Sequence, residues 1–80
     1  MRFPSKEEVE HLRRSYPPGT RLELVETMVD PYAPVPAGTQ GTVREVDDDG
    51  SIEIVWDNHS TLKLLPDVDS FKIVRDKTDV

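Results

Sequence analysis

The run Glu45-x-Asp47-x-Asp49-Gly50, with Ile52 after it, places carboxylates at alternate positions as the start of a calcium loop does. A calcium loop needs a bidentate acid at its twelfth position to close the coordination sphere. Counted from Glu45, that position is Trp56, which offers no oxygen. The residues flanking Asp49-Gly50 also alternate apolar and polar, as two strands of a hairpin do. No metal and no cofactor are therefore expected. What remains is charge: Glu45, Asp47, Asp48, Asp49, Glu53 and Asp57 are six acids in a span that holds no Lys or Arg. Such a run serves either as a solvated, aggregation-resistant turn or, with Asp47, Asp48 and Asp49 at its tip, as a docking surface for a basic partner or a crude mimic of a phosphate backbone.

Catalytic chemistry has little to work with. The chain has no cysteine, which excludes disulfides, cysteine-based zinc sites and thiol nucleophiles. His11 falls on the outer side of a short helix and His59 in a turn, with no second ligand or nucleophile at a recognised spacing. Adjacent turn carboxylates do not converge as an acid/base pair must. A non-enzymatic protein is expected. The remaining candidates lie in Asp30-Pro-Tyr-Ala-Pro-Val-Pro-Ala-Gly38. There Tyr32, Pro34 and Pro36 either pack the loop onto the domain or line a groove for an extended peptide.

The elements that must position these residues are legible in outline. Ser5 as N-cap with Glu8 three residues on is a capping box, and it predicts a helix over residues 5–15 with a narrow stripe of Val9, Leu12 and Tyr16. Pro17-Pro18-Gly19 stops it. Thr20–Glu26 alternates as a first strand with Leu22 and Leu24 inward, and the Pro-rich stretch 27–40 is a long structured loop. Gly41–Asp57 is a hairpin turning at Asp49-Gly50, whose Gly supplies positive φ at no Cβ cost. On it Ile52, Ile54 and Trp56 share one face, which assigns Trp56 to the core, the exposed recognition platform being the other reading. Thr61–Leu65 is expected to pair with the strand carrying Trp56; Pro66–Ser70 is a tight turn, Phe71–Val74 a last strand, and residues 75–80 a frayed tail. Eighty residues with 35% hydrophobic content make one domain with a thin core. The expected fold is mainly β, a five-stranded antiparallel barrel over residues 20–74 with a short N-terminal helix.

The order of motifs is itself distinctive: Tyr16-Pro-Pro-Gly-Thr-Arg-Leu-Glu-Leu, Asp30-Pro-Tyr-Ala-Pro-Val-Pro-Ala-Gly-Thr-Gln-Gly-Thr-Val, Ile54-Val-Trp-Asp-Asn and Leu65-Pro-Asp-Val-Asp-Ser-Phe. From Tyr16 to Val74 the chain resembles the small bacterial and phage family called domain of unknown function 4314. The resemblance implies a Src-homology-3-like barrel and an association with mobile elements, and it implies no reaction. In that family a glycine usually follows Trp-Asp-Asn, and this chain has His59 there.

The net charge of −6 makes broad attraction to nucleic acid unfavourable, because such binding rests on clustered Lys and Arg. With no apolar run at the N-terminus or of membrane-spanning length, a cytoplasmic monomer is expected. The leading expectation is a binding module that meets a protein, basic in character, through loop 30–38 and hairpin 45–57, as a mobile-element product modulating a host protein. The alternative is a nucleic-acid-binding small barrel, which would show steep salt dependence.

Overall fold

In the computed structural model, which describes residues 4–32 and 34–74, one helix and four strands follow each other along the chain. Helix α1 spans Lys6–Ser15, and Ser5 caps it by accepting a hydrogen bond from the Glu8 amide at 3.1 Å. Acidic Glu7 and Glu8 lie in its first turn and Arg13 and Arg14 in its last, so both ends suit the helix dipole. Val9 is buried, with Leu12 and Tyr16 partly so, and the Tyr16 ring meets Phe71 edge-on at 5.5 Å. A helix this short is marginal in water alone and persists through that docking.

Strands β1 (Arg21–Leu24), β2 (Gln40–Val46), β3 (Ile52–Trp56) and β4 (Phe71–Ile73) form an antiparallel sheet in the order β3-β2-β1-β4. One face carries the core: Leu22, Leu24, Val43, Val46, Ile52, Ile54 and Trp56, joined by Val9, Met28, Val35 and Leu64. The assignment of Trp56 to the core holds, since it is 1% exposed. The sheet is open and has four strands, which corrects the expectation of a closed five-stranded barrel. The segment Thr61–Leu65 is not a strand; its ladder reduces to one bridge, Ile52 with Leu64. The reason lies in Leu62, whose carbonyl accepts the Trp56 indole N–H at 2.7 Å and whose amide turns to the Ser60 hydroxyl. Both backbone groups are thereby diverted from a ladder. The expected frayed tail, residues 75–80, lies outside the described residues.

β2 departs from strict alternation. Val43 pairs with Ile54 and Glu45 with Glu53, leaving Arg44 as the extra residue of a bulge. Without it, Val43 and Val46 would fall on opposite faces, because side chains alternate with period two. With it, both are buried and Arg44 and Glu45 are exposed in succession.

The hairpin closes as its sequence predicts. The Asp47 amide bonds the Ser51 carbonyl and the Gly50 amide the Asp47 carbonyl, with Gly50 at φ 84°. His59, in the turn after β3, has φ 67° and is the one non-glycine at positive φ among the described residues. The glycine that the resemblance implies there would have a physical reason, since glycine takes this conformation without a Cβ penalty. Replacing His59 with glycine is expected to raise stability by about 0.5–1 kcal/mol, after allowance for the greater freedom of unfolded glycine. A lower denaturation midpoint for that variant would contradict it.

Candidate functional site

The Pro-rich segment is a second, smaller hairpin. Met28 and Val35 exchange both backbone hydrogen bonds, at 2.8 and 3.1 Å, and their side chains are buried. Below them the Gly38 amide bonds the Leu24 carbonyl, and the Ala37 amide bonds the Thr27 hydroxyl at 3.0 Å. The base is thus tied to β1 and the core. The tip is different: Val29 is 92% and Tyr32 94% exposed, and Pro34 and Pro36 are exposed as well. Asp30 shapes the tip by accepting the Tyr32 amide at 3.1 Å, an Asx-type turn. Of the two readings of Tyr32, packing against the domain is therefore the one its exposure opposes. Val35, between the two prolines, is a core residue with no exposure.

The acidic hairpin is far less bare than its composition predicts. The Arg13 guanidinium reaches from α1 to the Val46 carbonyl through Nε and Nη2, both at 3.1 Å, and to Asp48 Oδ1 at 2.8 Å. Lys63 binds Asp47, and its hydrogen bond is the main cause that holds the Asp47 carboxyl below the ordinary carboxylate range. Asp49 turns inward on Ser51, accepting its hydroxyl at 2.6 Å and its amide at 3.0 Å, and these bonds lower its pKa. Asp57 holds Arg21 through two oxygens, at 2.9 and 2.8 Å, which lowers the carboxyl and raises the guanidinium. Asp47, Asp48 and Asp49 thus sit together at one tip with two of their three charges paired. Exposed pairs of this kind contribute little to stability individually.

Glu45, Asp47 and Glu53 bring carboxylate oxygens within 4.8 Å of one another. They are the described residues that could hold a metal, and Asp49 of the calcium-like run is not among them. Lys63 already delivers an ammonium to this group through Asp47. Glu45 and Glu53 are direct cross-strand partners, an unfavourable like-charge pairing. Glu53 is accordingly held above its ordinary value, first by its hydrogen bond with Glu45, then by desolvation and the Asp47 charge. A raised carboxyl favours folding below its unfolded pKa, and that contribution disappears as pH rises through the folded value. Glu53→Gln is therefore expected to melt higher than the parent at neutral pH, with the gap shrinking as pH falls into the carboxylate range. The parent itself should lose stability over that same descent, because Asp47, Asp49, Asp57 and Glu23 are all lowered in the fold. A pH-independent gap between the two melting curves would remove the Glu45–Glu53 repulsion as its cause.

Sequence reasoning missed the solvent face of the sheet. There Lys72 pairs with Glu23, Gln40 Nε2 donates to Glu23 Oε1 at 3.1 Å, and Arg21 donates to Gln40, Thr42 and Asp57. The result is a polar ladder running across β4, β1 and β2. Alternation around the inward Leu22 and Leu24 places Arg21 and Glu23 outward, but what they pair with depends on strand order. His11 and His59 are both exposed. Among the described residues no helix is long and apolar enough to cross a membrane.

A family model described as domain of unknown function (DUF4314) matches residues 5–74, and the chain belongs to that family. No curated protein and no solved structure matches the chain.

Proposed function

Starting from membership in a family that carries no assigned activity, we propose that this is a non-enzymatic protein-binding module that meets its partner through the loop of residues 30–38 and the acidic hairpin 45–57. The single observation that supports it most is the contrast within the loop, a base bonded at Met28–Val35 and a tip with Val29 and Tyr32 almost fully exposed. A projection tied down at its base loses less conformational freedom on docking than a free segment, and aromatic residues are favoured at the centres of protein interfaces. The module acts in the cytoplasm, as a mobile-element product that modulates a host protein. Nucleic acid is the less favoured partner, because Arg13, Arg21, Lys63 and Lys72 each already pair with a carboxylate.

The test combines stability with capture. Val29→Ser/Tyr32→Ala removes exposed side chains only, so its unfolding free energy is expected to stay within about 0.5 kcal/mol of the parent. Affinity capture from a bacterial lysate should then recover a partner with the parent chain and lose it with the double variant. Equal recovery by both would place the contact elsewhere.

A further inference from the structure

Between the first turns of α1 and the turn Leu65–Val68 lies a groove of about 850 Å³, closed beneath by the hairpin tip at Gly50. Gly50 is buried there, and a Cβ at that position would stand 2.8 Å from Pro4 Cγ, so the tip and the helix entry meet closely. The floor is apolar: Pro4, Leu12, Leu65, Pro66 and Val68. Two of these are unusually open for their type, Leu65 at 46% and Val68 at 73% exposed. The rim is acidic, with Glu7 on the helix, Asp49 on the hairpin and Asp67 on the turn. Among the described residues none of these three forms an ion pair, in contrast to Asp47, Asp48 and Asp57 across the same hairpin.

We propose that this groove docks a short amphipathic segment of a partner protein, with leucine-like anchors on the floor and Lys or Arg side chains against the rim. The occupant follows from charge complementarity. An apolar floor alone accepts any hydrophobic segment, but the rim carboxylates, which form no ion pair among the described residues, repel an acidic one and attract a basic one. The inference rests on the protein-binding reading and uses a surface separate from the Val29–Tyr32 tip.

The probe is a short synthetic peptide of leucine and lysine patterned as an amphipathic helix, with a leucine and glutamate peptide of the same pattern as control. Titrated into the full chain, the basic peptide should shift the NMR resonances of Leu12, Leu65 and Val68 and lose affinity as salt rises. Val68→Ser, and separately Glu7→Lys/Asp67→Lys, should each weaken it about tenfold, a change of about 1.4 kcal/mol. Val29→Ser/Tyr32→Ala should leave it unchanged, so loss of the loop reading and loss of this one are read separately. Matched melting temperatures keep the variants comparable, since the side chains of Glu7, Val29, Tyr32, Asp67 and Val68 are exposed. The proposal is overturned if neither peptide binds, if the acidic peptide binds equally well, or if the shifts fall elsewhere. It is also overturned if Phe3→Ser tightens the basic peptide, which would make the chain's own N-terminus the occupant.

Discussion

Replacing Trp56 with alanine is expected to lower the unfolding free energy by about 3–5 kcal/mol. A domain of this size has on the order of 5 kcal/mol in total, so the variant should be largely unfolded at modest temperature. Two losses add. The indole is the largest fully buried side chain of the core, and its removal leaves a cavity between β3 and the turn that returns to Leu64. Its N–H also satisfies the Leu62 carbonyl at 2.7 Å. Trp56→Phe separates the two: it keeps most of the ring volume and orphans the carbonyl, which should cost about 1–3 kcal/mol. An alanine variant that melts with the parent would overturn the placement of this ring in the core.

The second large effect concerns a residue with no side chain. Gly41 is buried opposite Trp56 in the β2–β3 register, and a Cβ there would overlap Ile54 Cγ2 and come within 2.9 Å of Trp56 Cε3. The Val55 carbonyl at 3.2 Å closes the remaining direction. Gly41→Ala should therefore destabilise by about 1–3 kcal/mol through overpacking, although alanine has the better intrinsic backbone preference. The clash has a named partner, which makes it separable. Ile54→Leu moves the branch from Cβ to Cγ and withdraws Cγ2. In that background Gly41→Ala should cost less, so the double variant should be more stable than the sum of the singles allows. Strict additivity in chemical denaturation would show that the methyl contact is not the source.

The comparison with sequence reasoning divides along the range of the interactions. The Ser5 cap, the Gly50 turn and the inward sets Leu22/Leu24 and Ile52/Ile54/Trp56 are legible because each depends on residues a few positions apart. The Arg13 contacts to Val46 and Asp48 join residues 33 and 35 positions apart, and in sequence Arg13 looks like any cation in a last helical turn. The acidic hairpin was overestimated as a bare negative surface for that reason: its counter-charges come from α1, β1 and the segment after β3. The bulge at Arg44 did leave a signal, two valines three apart in a strand, and the failed strand at Thr61–Leu65 left none, because it turns on where one indole N–H points. For the candidate site, the exposure of Tyr32 depends on the Met28–Val35 bridge, which three prolines in the segment conceal from any strand-like pattern.

The strand order has a temporal side. β2 and β3 are joined by a tight turn and can zip together within microseconds of both being available. β1 pairs with β2 on one edge, but its other edge waits for β4, whose register with Leu22 and Leu24 closes a loop of about 50 residues. During translation the nascent chain thus presents the open edge of β1, with Leu22 and Leu24 incompletely covered, until Phe71–Ile73 has left the ribosome. A three-residue strand, the least conspicuous element of the sheet, sets the interval over which this protein is open to aberrant strand pairing.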